Sequence, residues 1–209
     1  MNARTSAMRL FRLLIPAFVF TAVPPLSAAA EARKEPPTSD KTPAHSVKLF
    51  DFSGAADEPG WTAVNDGVMG GVSRGGAKQV DGSLHFRGIL SLENNGGFSS
   101  IRSGGPTRDL SAAKVIVLRV KGDGRTYRLQ IATNAQFRRS RISYQAEFPT
   151  QRDEWTEARV PLAALVPMFR GQTLSGPPLD RARVEEIGLS LADGNPGAFA
   201  LEVDWIRAE

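Results

Sequence analysis

Cysteine is absent from this 209-residue sequence, and histidine occurs only twice, as His45 and His85. The first absence excludes a disulfide framework, a thiolate-ligated zinc or iron–sulfur centre, a thiol nucleophile and a lipid anchor on an N-terminal cysteine. The second excludes a three-histidine metal site and the zinc-binding HExxH motif. Glycine is missing from residues 1–46, which hold six prolines instead, so all 20 glycines fall in residues 47–209. Helical bundles rarely carry glycine at that density, since each costs about 1 kcal/mol against alanine inside a helix.

No apolar run reaches the roughly 20 residues that a spanning helix requires. The longest stretch runs from Leu13 to Val23 and is broken by Pro24-Pro25. Arg4, Arg9 and Arg12 precede it, and Ser27-Ala28-Ala29-Ala30 follows. Basic, apolar and small residues in that order predict a secretory signal peptide over residues 1–30, cleaved after Ala30. The mature chain is then exported, periplasmic and without a membrane span. No Arg-Arg pair in this leader points to the twin-arginine route. Its removal takes three arginines and leaves 23 basic against 22 acidic residues. The sequence pI of 9.8 therefore overstates the mature basicity, and nucleic acid is not an expected partner. Residues 31–46 mix charge, proline, serine and threonine without periodicity and read as a flexible linker.

From Val47 onward the pattern has period two. Leu84, Phe86 and Leu90 share one face of residues 83–90, with Ser83, His85 and Arg87 on the other. Val115 to Val120 is a run rich in β-branched residues, as in a strand buried on both faces. Phe199, Leu201, Val203 and Trp205 alternate with Ala200, Glu202, Asp204 and Ile206. Asp-Gly and Asn-Gly pairs at 66–67, 81–82, 95–96, 123–124 and 193–194 separate such runs and suit turns with positive φ. Only residues 162–166 look helical, and residues 167–180 read as an irregular loop. The prediction is an all-β domain over residues 47–209, a jelly-roll sandwich of about nine or ten strands.

Four stretches can carry chemistry. In Trp61 to Ser73 the glycines permit either a tight corner, with Asp66 bonded to turn amides, or close approach of a ligand to the backbone. In Asn94 to Arg102 the guanidinium can bind a carboxylate or a sugar, or pair with an acid such as Asp66. Lys121 to Tyr127 can form an anion nest or an ordinary hairpin. Phe137-Arg138-Arg139-Ser140-Arg141 can touch phosphate or be a solvated loop. The sequence has no Cys/His pair, and nothing marks a carboxylate pair, so an enzyme is not predicted.

Taken in order, Trp61…Asn65-Asp-Gly-Val-Met-Gly-Gly-Val-Ser73, Phe86-Arg-Gly88, Asn95-Gly-Gly-Phe-Ser-Ser-Ile-Arg102, Gly122-Asp-Gly-Arg-Thr-Tyr127, Phe169-Arg-Gly171 and Leu201-Glu-Val-Asp-Trp-Ile206 resemble the complex I intermediate-associated protein 30 family. The resemblance runs from about Val47 to Glu209. It implies a galactose-binding-like jelly roll and a role like that of members that assemble NADH:ubiquinone oxidoreductase. A non-catalytic module binding a protein partner is thus expected, a subunit of a membrane complex in that reading. Asp66, Met69, Arg102, Arg125 and Arg170, drawn from the motifs, would form its contact surface. The alternative is a carbohydrate-binding module in which Trp61, Trp155 or Trp205 stacks on a sugar, although all three also fit core packing. Jelly rolls of this type often hold Ca²⁺ where the first and last strands meet, and Asp51, Glu202 and Asp204 are placed for that. Glu202 and Asp204 are equally the outward polar positions of a strand, and no metal or cofactor is expected.

Overall fold

Alternation of apolar and polar residues becomes strand along nearly the whole domain. A computed structural model describes residues 46–54 and 60–209. The predicted leader and all but the last residue of the linker lie outside them. Thirteen strands run in order: β1 (Val47–Asp51), β2 (Trp61–Asn65), β3 (Arg74–Val80), β4 (Ser83–Leu90), β5 (Ser99–Ser103), β6 (Val115–Gly122) and β7 (Thr126–Phe137), then β8 (Ser140–Pro149), β9 (Trp155–Pro161), β10 (Val166–Phe169), β11 (Gln172–Thr173), β12 (Glu186–Leu191) and β13 (Gly197–Ala208). One sheet has the order β3-β4-β13-β6-β9, with β1 also on β13. The other has the order β11-β10-β8-β7-β12-β5-β2. All strand pairs are antiparallel, and the expected all-β sandwich is the observed architecture.

The core lies between the sheets. Leu84, Phe86, Leu118, Val120, Leu201 and Val203 from the first sheet meet Ile101, Leu129, Ile131, Ile187 and Leu189 from the second. Three strands were not anticipated. β3 carries Gly75-Gly76 and few apolar residues, yet Gly75 is required there. A Cβ at Gly75 would lie 2.0 Å from Ser99 Oγ and 2.9 Å from Phe199, so only glycine lets β3 lie this close. β10 and β11 form a small hairpin within the stretch read as irregular. The segment read as helical is one 3-10 turn at Leu162–Ala164 before β10 begins.

Two side chains face the other way from their predicted sides. The pairing of β13 with β6 slips between Val203 and Trp205. The extra residue, Asp204, turns Trp205 outward and Ile206 inward, where Ile206 is fully buried.

Candidate functional site

The motif around Asp66 folds as a corner joining four strands. Asp66 has no exposed surface. Its carboxylate accepts hydrogen bonds from Ser73 N at 2.9 Å, Ser73 Oγ at 2.5 Å, Gly97 N at 2.7 Å and Phe98 N at 3.3 Å. Ser73 Oγ, its single proton given to Asp66, in turn accepts from Ser91 N at 3.0 Å. Two glycines make room: a Cβ at Gly71 would lie 2.4 Å from Asp66 Cγ, and one at Gly96 would lie 2.6 Å from Oδ2. Burial pushes the Asp66 carboxyl up. The donors from Ser73, Gly97 and Phe98 outweigh that and leave it below the usual carboxylate value. Asp66 therefore cannot itself touch a partner; it fixes the loops that can.

Those loops present apolar side chains to water. Val68 is 75%, Met69 57%, Val72 43% and Leu92 45% exposed. Met69 was anticipated, but Val68, Val72 and Leu92 were not. The available signal was valine and leucine in turn segments where polar residues are usual.

Arg125 is committed to internal contacts. It grips Asp193 with two hydrogen bonds, Nε to Oδ2 at 2.9 Å and Nη2 to Oδ1 at 2.6 Å, and also donates to the carbonyls of Asn195 and Ala198. The proposed anion nest beside it is filled from within. Gly124 N donates to Thr150 Oγ1, and Arg125 N donates to Asp123 Oδ1. Arg102 does not pair with Asp66; its nearest acid is Glu186, at 3.8 Å.

Arg170 lies in the β10–β11 turn, stacked 5.3 Å from the Phe169 ring centroid. Arg138 sits in the same way over Phe137, at 5.2 Å, and the two rings meet edge to face at 5.3 Å. The register places these tips at the Phe137 end of β7, and the Asp66 corner and Arg125 at its Thr126 end. At roughly 3.3 Å per residue, the two ends lie about 30 Å apart along the strand. The five anticipated residues thus do not share one surface: Asp66 is buried, Met69 and Arg125 lie at one end, Arg102 at mid-sheet and Arg170 at the other end.

The outer face of the seven-stranded sheet is a polar trough. Arg102, Gly188, Gln130 and Gln145 form one cross-strand row, and Ser100, Ser190, Arg128 and Glu147 form the next. Ser100 and Ser190 are buried at its floor, and Gln130 Nε2 donates to Ser190 Oγ at 2.8 Å. A groove of about 400 Å³ between Arg128, Glu147, Val166, Met168 and Thr173 continues into one of about 440 Å³ beside Arg125 and Asp193.

The tryptophans lie elsewhere. Trp61 packs on Phe50 and Phe52, with ring centroids 5.2 and 6.0 Å away. Trp155 and Trp205 face outward from the other sheet, beneath Arg119 and Lys121 and beneath Arg207 respectively. The three carboxylates considered for calcium are each engaged by cations: Asp51 by Lys48, Glu202 by Arg87 and Lys121, and Asp204 by Arg119. Among the described residues no three acidic or histidine side chains converge as a metal site.

Solved structures share this frame of two packed antiparallel sheets. The family 11 carbohydrate-binding module of a Clostridium thermocellum cellulase superposes with a TM-score of 0.60 at 18% identity, over 78% of this chain and 94% of that one. The same module has been solved with a β-1,3-1,4-mixed-linked tetrasaccharide, and there the TM-score is 0.59. A family 30 carbohydrate-binding module gives 0.51 at 17% identity, over 79% of this chain and 88% of that one. These identities establish the fold alone. In sequence, the chain belongs to the Complex I intermediate-associated protein 30 family, whose pattern it matches over residues 50–203. The mitochondrial Complex I intermediate-associated protein 30 of Mus musculus is 29% identical over 102 residues, 47% of this chain and 31% of the mouse protein. The chain thus spans under a third of that relative's length in the match.

Proposed function

We propose that this chain is a non-catalytic, exported binding domain that holds a protein subunit of a membrane complex during assembly, with respiratory complex I as the precedent given by its family. The observation that carries this reading is the braced corner. Apolar side chains normally turn inward when a loop is free to move; here the Asp66 network holds Val68, Met69, Val72 and Leu92 in water. A pre-ordered apolar surface binds with little entropy left to lose. Residues 1–30 direct export in this reading, so the partner offers its contact surface on the outer side of the membrane.

Tagged full-length protein captured from gently solubilised membranes is expected to co-purify with subunits of such a complex. Val68→Asp with Met69→Asp should cut recovery at least about tenfold, as for loss of central apolar anchors. The melting temperature should not change, because both side chains already face water. Undiminished recovery of the subunits with this variant overturns the assignment of the corner.

A second reading is favoured by the trough on the seven-stranded sheet, whose amides, hydroxyls and Glu147 suit a glycan and whose fold matches modules that bind one. No aromatic side chain among the described outward positions of that face offers a sugar ring a platform. Binding of mixed-linked glucan, abolished by Gln130→Ala, would favour this reading over the first.

A further inference from the structure

We propose that the two hairpin tips at the Phe137 end of the sandwich form a docking surface for an anionic lipid bilayer. The β7–β8 hairpin closes Phe137 onto Ser140 through Arg138-Arg139, and the β10–β11 hairpin closes Phe169 onto Gln172 through Arg170-Gly171. Two-residue loops with both φ values positive are the tight turns that normally select Asn-Gly or Gly-Gly. Here φ is +49° at Arg138, +61° at Arg139 and +47° at Arg170. The chain thus places its longest cations at three positions where backbone sterics disfavour them. Strain of this kind persists where something other than folding is served.

The charge is unneutralised and partly pre-positioned. Among the described residues, none of these three arginines forms an ion pair, while neighbouring Arg141 is engaged by Glu185 and Glu186. Arg138 and Arg170 are held over Phe137 and Phe169, whose mutual packing fixes the distance between the tips.

Shape selects the partner. The tips are convex, and neither groove of the sheet includes them. A small anion needs a concave site, whereas three guanidinium groups on projecting turns match a flat layer of phosphate headgroups.

The test is co-sedimentation of the full-length protein with vesicles of phosphatidylcholine alone and with added phosphatidylglycerol, at low and high salt. Binding is expected to rise with phosphatidylglycerol and fall with salt. Each arginine near an anionic surface multiplies partitioning about fivefold, and three together about a hundredfold. Arg138→Asn, Arg139→Gly and Arg170→Asn restore favoured turn residues, so the triple variant should lose that binding while its melting temperature rises by a few degrees. Equal binding by the variant, or a lower melting temperature, overturns the proposal. So does protein that ignores vesicles but is retained on a soluble polyanion column through the same arginines.

Discussion

Asp66 shows how one side chain can read as functional in sequence and prove architectural in place. Its carboxylate serves three buried or half-buried backbone amides and one hydroxyl, so replacing it strands donors that water cannot reach. Asp66→Ala is expected to cost about 3–5 kcal/mol, the range for breaking a buried charged network. Denaturant unfolding checks it, and a loss under about 1 kcal/mol would mean the corner is held by something else. Gly71→Ala should behave comparably, since its added carbon meets the same carboxylate. Glycines and an aspartate in a tight corner were legible from the motif alone. That Ser73 closes the network across the loop was not, because the partner is chosen by folding rather than by spacing.

Among the elements, β13 carries the sharpest departure from pattern reading. Period-two alternation identifies it as a strand and places Phe199, Leu201 and Val203 inward, as observed. Alternation cannot show the added residue, because Trp205 suits a core position as well as Ile206 does. Only pairing on two sides decides between them. The contrast between two changes tests this. Asp204→Ala removes an exposed ion pair with Arg119 and should cost no more than about 0.5 kcal/mol. Ile206→Ala empties a fully buried position and should cost at least about 2 kcal/mol. Equal effects in chemical denaturation would show that Ile206 does not face the core. β3 went unread for the opposite reason: its glycines weaken the strand signal, and the need for Gly75 appears only when Ser99 and Phe199 are in place.

For the whole molecule, titration ties the sheets and loops together. Burial raises the carboxyls of Asp66, Asp193 and Glu202. Ser73, Arg125 and Lys121 respectively lead the hydrogen bonds that outweigh it, leaving all three below their ordinary values. Unfolded carboxylates take up protons near pH 4. The unfolded chain therefore binds more protons than the folded one, and this stabilisation is whole above about pH 5 and lost as pH falls through the folded values. His85 adds to the same slope: burial, then Arg87, holds its imidazole below the usual histidine value, so a first decline begins below about pH 6.5. Urea midpoints measured from pH 7 to pH 3 should fall monotonically. A flat profile would mean these groups are no better paired in the fold than in the unfolded chain. At this scale the sandwich and its family were legible from ordered motifs. The separation of the anticipated site residues to opposite ends was not, because motif order says nothing about which end of a strand each motif caps.

The position of β13 also governs when this domain can exist at all. The strand that comes last in the sequence sits in the middle of its sheet, between β4 and β6 and beside β1. Until it arrives, β3–β4 and β6–β9 are separate ribbons with open edges, and β1 has no neighbour to pair with. Two-stranded ribbons are at best marginal in water. A ribosome still holding β13 therefore holds a chain that cannot close this sheet. The central placement of the final strand makes it a clock as well as a brace.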